Sequence, residues 1–354
     1  MRKNTKEIRV GAVRIGGTAP ISIQSMCNTD TKDVESTAKQ ILAMESEGVD
    51  IVRIAINNLE DAQAIPKIKE KIHVPLIADI QFDYQLALYA VEYGIDGLRL
   101  NPGNIGENWK IEKVVNACKE KGISIRVGVN SGSVKQEFLD QYNGVNAESI
   151  CYSALEQIKT LESFDFHDIK VSLKSSDVRL SVEAYRRFSE MSDYPLHLGI
   201  TEAGPSFKGT IKSAIGMGSL LLDGIGDTIR VSLTADPVEE VKVAKEILKS
   251  LDLRQEGINL ISCPTCARTK IDLIPLVEEA EKRFSSYTDN LKIAIMGCIV
   301  NGPGEAKEAD YGITGGNGKG VVFKKGEIVA TVKEEELLDT LFEIIESDRN
   351  EQHS

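Results

Sequence analysis

Between Ile21 and Leu233 the chain alternates short apolar runs with longer amphipathic stretches. The runs are ISIQSM, DIVRIAI, PLIADI, GLRLNP, ISIRVGVN, DIKVSLK, LHLGITEA and DTIRVSL. Short runs rich in Ile, Val and Leu, bounded by turn residues, read as buried parallel strands. Most are separated by a helix-like segment, such as TKDVESTAKQILAMESEG or VRLSVEAYRRFSEM. The first of these ends in Gly48, a helix-stop residue. Strands alternating with helices at this spacing predict βαβ units and a parallel sheet. Eight such units over about 250 residues predict a closed (β/α)8 TIM barrel. A doubly wound open sheet is the alternative, but it has no need of an eighth strand.

The pattern breaks after an eighth helix at 237–249, where LDLRQEG reads as a polar linker. A second, smaller α/β unit begins at INLISCP. It is expected to hold a helix near 271–287, the strand LKIAIMG, a Gly-rich stretch GITGGNGKG, a hairpin in GVVFKKGEIVATV and a last helix near 335–345. The end, ESDRNEQHS, is expected to be disordered. The predicted domains are residues 1–250 and 258–354.

In a barrel of this kind chemistry sits at the C-terminal ends of the strands. The second run carries Arg53 and Asn57, the third Asp79, and the fourth Arg99 and Asn101. Arg126 and Asn130 belong to the fifth and Lys174 to the sixth. The seventh ends in Thr201 and Glu202, and the eighth holds Arg230 and Ser232. A charge among β-branched residues is costly unless it is paired. Ion pairing with Asp79 and Glu202 is the plain reading for any one cation. Five cations against two acids leave a surplus that calls for an anionic ligand. Arginine suits phosphate because its planar fork bonds it bidentately, so a diphosphate-bearing small molecule fits better than a single carboxylate. The turns NPGNIG and NSGS add backbone amides of the kind that form anion nests, although such turns are more often only turns.

Charge narrows the partners. Lys and Arg total 42 against 54 Asp and Glu, a net charge of −12 over 354 residues. Binding of nucleic acid along the chain is therefore not expected. The start, MRKNTKEIRVG, has no apolar h-region. No apolar run approaches the roughly 20 residues that span a bilayer. The reading is a cytoplasmic protein with reduced thiols. Its six cysteines then point to metal binding or catalysis wherever they cluster.

Cys263 and Cys266 stand in CPTCARTK, and Cys298 ends the next strand, within GCIVNGPGEA. A thioredoxin-like disulfide leaves Cys298 unused. Structural zinc takes four Cys or His ligands, and no histidine lies between Cys263 and His353. A [4Fe–4S] cluster also takes four ligands, usually Cys. Three thiols are at hand, and Glu305 is the natural oxygen donor for the fourth place. Spacing favours the cluster over zinc without excluding zinc. Cys27, Cys118 and Cys151 read as small buried hydrophobes.

The motifs SIQSMCNTDT, ADIQFDYQLAL, LRLNPGNIG, IRVGVNSGS, HLGITEAG, DTIRVSLTADP, CPTCARTK and GCIVNGPGEA together resemble the 4-hydroxy-3-methylbut-2-enyl diphosphate synthase family. The likeness covers nearly the whole chain and matches the shorter, two-domain bacterial form of these iron–sulfur enzymes of the non-mevalonate isoprenoid pathway. It implies a two-electron reductive ring opening of 2-C-methyl-D-erythritol 2,4-cyclodiphosphate, with loss of a hydroxyl as water. It implies that Cys263, Cys266, Cys298 and Glu305 bind a [4Fe–4S] cluster. Arg53, Arg99, Arg126, Lys174 and Arg230 would hold the cyclic diphosphate, helped by Asn130, Thr201 and Ser232, with Asp79 as a further site residue and Glu202 as the acid/base. It further implies reduced flavodoxin or ferredoxin as electron donor, and a homodimer. One departure is Gln81, where the family usually has histidine. A carboxamide carries no proton at neutral pH, so position 81 is given no proton-transfer role. The competing reading is a non-redox barrel acting on a phosphorylated or pterin-like ligand, with a zinc-stabilised partner-binding module.

Overall fold

The computed structural model describes residues 2–255, 257–285, 287–298, 306–316 and 318–352. The chain divides into two compact units, Met1–Arg254 and Gln255–Ser354.

The first unit opens with an antiparallel hairpin, β1 (Ile8–Val10) and β2 (Val13–Ile15). The eight apolar runs then form β3 (Ser22–Met26), β4 (Ile51–Ala55), β5 (Leu76–Asp79), β6 (Gly97–Leu100), β7 (Ser124–Asn130), β8 (Ile169–Lys174), β9 (His197–Leu198) and β10 (Thr228–Ile229). They lie in one sheet of order β8-β7-β6-β5-β4-β3-β10-β9. The seam between β8 and β9 is bridged at Val171 and Leu196, where the Val171 N–H donates to the Pro195 carbonyl at 2.9 Å. The ring closes at that bridge, and the expected TIM barrel is what forms.

Around it run α1 (Val34–Ser46), α2 (Leu59–Lys69), α3 (Tyr84–Glu92), a short α4 (Pro102–Ile105), α5 (Asn108–Lys121), a short α6 (Gln136–Gln141), α7 (Ala147–Glu162), α8 (Val178–Met191), α9 (Ser206–Leu222) and α10 (Pro237–Lys249). Asp33, Asn58, Asp83, Asn146, Asp177 and Asp236 each accept a backbone N–H in the first turn of the helix they precede. Such a cap contributes about 1 kcal/mol and fixes where each strand-end loop gives way to helix. The outward strand residues, among them Ile23, Ile54, Leu98, Val127 and Val171, pack against Ile41, Ile65, Val115, Ile158 and Phe188 of the helices. Full burial of such a side chain is worth about 1.5–3 kcal/mol.

Strand side chains alternate between faces, so the other set points into the barrel. At its floor Ile51 and Ile77 pack with Ile8, Val10 and Ile15 of the hairpin. The hairpin is thus an apolar plug. Its alternating IRV-GA-VRI pattern around Gly11, which sits at φ 54°, is a legible turn signal that the eight-run reading passed over.

The second unit holds a five-stranded sheet of order β11-β12-β13-β14-β15, from β11 (Asn259–Ser262), β12 (Lys292–Met296), β13 (Tyr311–Gly316), β14 (Lys319–Lys324) and β15 (Glu327–Lys333). The first three are mutually parallel and the last three antiparallel. Gly312–Gly316 of the Gly-rich stretch lie in β13 and Lys319–Gly320 in β14, and Leu337 packs close: a Cβ on Gly320 would stand 2.6 Å from its methyls. The middle helix is Leu273–Phe284 and the last is Leu337–Gln352. The last helix corrects the expectation of a disordered end, at least as far as Gln352. Asp348 accepts from the Tyr311 hydroxyl and the Lys324 ammonium at 2.6 Å each, and Arg349 pairs with Asp289 at 3.1 Å. Asp348 and Arg349 of the polar stretch expected to be disordered thus have partners in the sheet and loops. Among the described residues no helix is long and apolar enough to cross a membrane.

Candidate active site

The strand-end cations converge inside the barrel because they fall on the lumen-facing parity. Met26 and Arg53 are register partners on β3 and β4, and Arg53 Nε and Nη2 lie 3.1 and 2.9 Å from Met26 Sδ. Asp79 pairs in register with Arg99, Arg99 with Arg126, and Arg126 with Lys170, around β5, β6, β7 and β8. Lys174 sits four residues above Lys170 on the same face of β8. Two glycines clear the space these side chains need. A Cβ on Gly199 would stand 2.7 Å from Lys174 Nζ and 2.6 Å from the Arg230 carbonyl. One on Gly128 would stand 3.0 Å from Ser172 Oγ and 3.7 Å from Arg99 Nε.

Asp79 is the pairing acid that was expected. Its Oδ1 lies 3.2 Å from Arg99 Nη1 and its Oδ2 3.8 Å from Arg53 Nε. Burial pushes its carboxyl up, but the charges of Arg53, Arg99, Arg126 and Arg230 together hold it below the ordinary value. Glu202 is not the second acid. It is exposed, makes no ion pair among the described residues, and sits at a left-handed φ of 52°. The place is taken by Glu240 on α10, which the sequence reading missed. Its Oε2 is 3.9 Å from Arg230 Nη2 and 3.1 Å from Ser25 Oγ, and its Oε1 accepts the Leu233 N–H at 2.9 Å. Burial raises its carboxyl, an effect that Arg230 only partly offsets. The signal was present in PVEEVKVAKEILK: one Glu of that helix falls on the buried face with Val241 and Ala244.

Burial lowers the affinity of Arg53, Arg126, Lys174 and Arg230 for their protons. Arg53 is pulled down to about 9, still a cation at neutral pH. Arg126 and Lys174 are driven down by burial and then by their like-charged neighbours, and Arg230 by burial. Lys170, overlooked inside DIKVSLK, is a further basic side chain of this group, only 1% exposed and likewise driven down first by burial and then by Arg126. Arg53, Arg99, Arg126, Lys170, Lys174 and Arg230 thus face Asp79 and Glu240, six cations against two carboxylates. Arg99 Nε, Arg126 Nε and Nη1, Lys170 Nζ and Arg230 Nε are buried with no hydrogen-bond partner among the described residues. The expected surplus of positive charge is larger than the sequence suggested.

β9 and β10 are shorter than the runs LHLGITEA and DTIRVSL. Thr201 and Glu202 therefore lie in the turn after β9, while Arg230 and Ser232 lie just past the end of β10. Thr201, Ser232 and Asn130 are half-buried. Gln81 is exposed and accepts from Arg99 Nη1 at 3.2 Å. Its carboxamide oxygen thus helps to hold Arg99 in place. Asn101 caps α4, and Asn130 and Ser133 close a local turn through the Asn130 N–H and Ser133 Oγ at 2.9 Å.

In the second unit Cys263 follows β11 and Cys298 follows β12, two adjacent parallel strands. The Gly297 N–H donates to Cys263 Sγ at 3.1 Å. Cys266 is exposed, and its thiol is lowered first by the backbone N–H of Arg268. Among the described residues no three His, Cys, Asp or Glu side chains are gathered closely enough to hold a metal; Glu305 lies outside the described residues. Cys27, Cys118 and Cys151 are buried, as expected, and burial pushes each thiol up to about 12.

A TIM barrel with surplus cations at its strand ends, followed in the chain by a thiol-bearing α/β unit, places the protein among two-unit TIM-barrel proteins. The GcpE TIM-barrel domain model matches residues 5–245, and the GcpE protein C-terminal domain model matches residues 259–347. The chain belongs to the GcpE family. It is 58% identical over 346 residues to a Clostridium perfringens protein named 4-hydroxy-3-methylbut-2-en-1-yl diphosphate synthase (flavodoxin), covering 98% of this chain and 99% of that one. A Fusobacterium nucleatum protein of the same name is 58% identical over 348 residues, covering 98% of each chain. The crystal structure of Yersinia pestis dihydropteroate synthase matches 70% of this chain and 97% of its own, with TM-score 0.51 and 11% identity. That likeness concerns the barrel fold alone.

Proposed function

We propose that this chain reductively opens 2-C-methyl-D-erythritol 2,4-cyclodiphosphate to (E)-4-hydroxy-3-methylbut-2-enyl diphosphate, releasing one water. The observation that carries this reading is the excess of buried cations over carboxylates at the strand ends, in a chain 58% identical to synthases of that name. The reaction consumes two electrons and one proton. The ring C–O bond to phosphate breaks, a C–OH bond breaks, and a double bond forms. The diphosphate gains one negative charge as the ring opens, so a site with positive charge to spare favours the product side of that step.

Arg53, Arg99, Arg126, Lys174 and Arg230 hold the diphosphate. Asp79 aims Arg53 and Arg99, and Glu240 does the same for Arg230. Asn130, Thr201 and Ser232 supply neutral hydrogen bonds at the rim. Glu202 delivers the proton that lets the hydroxyl leave as water. Its exposed, left-handed turn is the kind of strained placement found where a side chain must project to do chemistry.

Cys263, Cys266 and Cys298, with Glu305 as the fourth ligand, hold a [4Fe–4S] cluster. The donor chemistry supports this. Thiolates unaccompanied by histidine favour iron–sulfur over hard cations, and the Gly297 N–H on Cys263 Sγ is the kind of bond that steadies a ligating sulfur. When bound, the cluster supplies the electrons one at a time, drawn from reduced flavodoxin or ferredoxin. The protein works in the cytoplasm as a homodimer. The exposed apolar stripe of α9, Phe207, Ile211, Ile215 and Leu222, supports a second copy as its cover. The relatives do not favour the pterin or zinc alternative.

The test is anaerobic turnover of the cyclodiphosphate with reduced flavodoxin, followed by mass spectrometry. Formation of the linear allylic diphosphate is expected. Unchanged substrate with an intact cluster would overturn the assignment.

A further inference from the structure

Lys170 has no role in the scheme above, and Arg126 beside it, one of the residues that hold the diphosphate, keeps donors that nothing meets. Arg126 and Lys170 stand side by side in register on β7 and β8. They are 4% and 1% exposed, and like charges directly opposite on paired strands repel. The charge of buried Asp227 reaches Lys170, but its oxygens are engaged elsewhere: Oδ1 by Arg2 and Thr5, and Oδ2 by the Leu196 N–H at 2.8 Å. Lys170 lies four residues below Lys174, about 13 Å down a parallel strand, which is deeper than a diphosphate gripped at the rim extends.

Around this pair are donors without partners. Arg126 Nε and Nη1, Lys170 Nζ and His197 Nε2 have no hydrogen-bond partner among the described residues. His197 is 0% exposed. His197 Nδ1 faces the Thr228 hydroxyl at 2.6 Å, so Nε2 is the nitrogen left over. Burial, and then the charges of Arg126, Lys174 and Lys170, hold this imidazole neutral, which leaves one N–H for Nε2 when Nδ1 accepts from Thr228. Below, the apolar hairpin plug gives these groups nothing to bond.

We infer that the lumen carries a second anion site beneath the diphosphate rim, in which Lys170 and Arg126 hold one small monovalent inorganic anion of chloride size, with His197 as a further donor. Such an ion offsets the repulsion between the pair. It also lowers the positive excess that stays when a doubly charged cyclodiphosphate meets six cations and two carboxylates.

The test uses the full chain with bromide in place of chloride. Crystals grown in bromide are expected to show an anomalous peak within hydrogen-bond distance of Lys170 Nζ and the Arg126 guanidinium, retained when the cyclodiphosphate is added. In solution, wild-type Tm is expected to rise by several degrees when chloride replaces gluconate at constant ionic strength, and Lys170→Met to lose that response. A bromide peak only at the rim, displaced by the cyclodiphosphate, would overturn the inference. So would no peak, or equal chloride responses in the two proteins. Neither readout needs turnover or a metal, so failure here is separable from failure of the proposed reaction.

Discussion

Asp79→Asn is the sharpest probe of the lumen electrostatics. The substitution keeps shape and removes one charge. The carboxylate faces Arg99 Nη1 at 3.2 Å and Arg53 Nε at 3.8 Å, and its side chain is 7% exposed. At an effective dielectric of about 20, those separations give gross attractions of about 5 and about 4 kcal/mol. Releasing the buried carboxylate from its desolvation penalty returns several kcal/mol, so the net loss expected for breaking a buried pair is about 3–5 kcal/mol. For a barrel of this size that lowers Tm by roughly 6–20 °C, at about 2–4 °C per kcal/mol. The pH dependence has a definite sign. The Asp79 carboxyl is depressed in the fold, so its contribution is complete above its unfolded pKa of about 3.9 and is lost as pH falls through the lower folded value. The gap between wild type and Asp79→Asn should be full at pH 7 and narrow below about pH 4. Cyclodiphosphate should stabilise the variant more than it stabilises wild type, because it supplies the missing negative charge. Thermal unfolding, with and without ligand, is the assay. A Tm within 2 °C of wild type at pH 7, well short of the range that the pair energies predict, would refute the reasoning and mean that solvent screens these charges.

Glu202→Gln should retain cyclodiphosphate binding and lose turnover by about 100-fold or more, the usual worth of a positioned acid; Glu202→Gly should be as inactive, yet more stable by about 1 kcal/mol once the left-handed strain is relieved. Calorimetric titration beside steady-state kinetics separates the two effects, and wild-type turnover in Glu202→Gln would remove it from the chemistry. Gly199→Ala puts a methyl 2.7 Å from Lys174 Nζ and 2.6 Å from the Arg230 carbonyl. Overpacking of about 1–3 kcal/mol displaces the lysine, and cyclodiphosphate affinity should fall by about tenfold or more; an unchanged Kd places Lys174 outside the anion site. Cys298→Ser should lose iron on anaerobic purification while the barrel unfolds at the wild-type temperature, and normal iron content would contradict the ligand assignment.

The barrel was legible because eight buried parallel strands must be apolar throughout, and most of its helices start at a capping Asp or Asn. The converging cations were legible for the same reason: a charge inside an apolar run stands out. Glu240 and Lys170 were less so. Glu240 is a normal helix residue until α10 is rotated onto the barrel. Lys170 sits at the beginning of its run, where a strand usually emerges from solvent, and only the hairpin plug beneath it makes that position interior. The hairpin itself spans too few residues to stand out beside the βα repeat. That Glu202 is exposed was not legible, because nothing in the run LHLGITEA shows that β9 stops at Leu198 and leaves Glu202 in the turn after it. The polar C-terminal stretch read as disorder, since its partners, Tyr311, Lys324 and Asp289, come from distant parts of the second unit.

The proposed function requires that this protein bind both a cyclic diphosphate and an iron–sulfur centre. The most direct measurement is EPR of anaerobically purified, dithionite-reduced protein, with iron and sulfide analysis, before and after addition of 2-C-methyl-D-erythritol 2,4-cyclodiphosphate. The account predicts about four irons and four sulfides per chain, as a [4Fe–4S] site requires, and a signal that changes when the cyclodiphosphate is added. Zinc without sulfide in protein never exposed to air, or a cluster signal indifferent to the cyclodiphosphate, would contradict it.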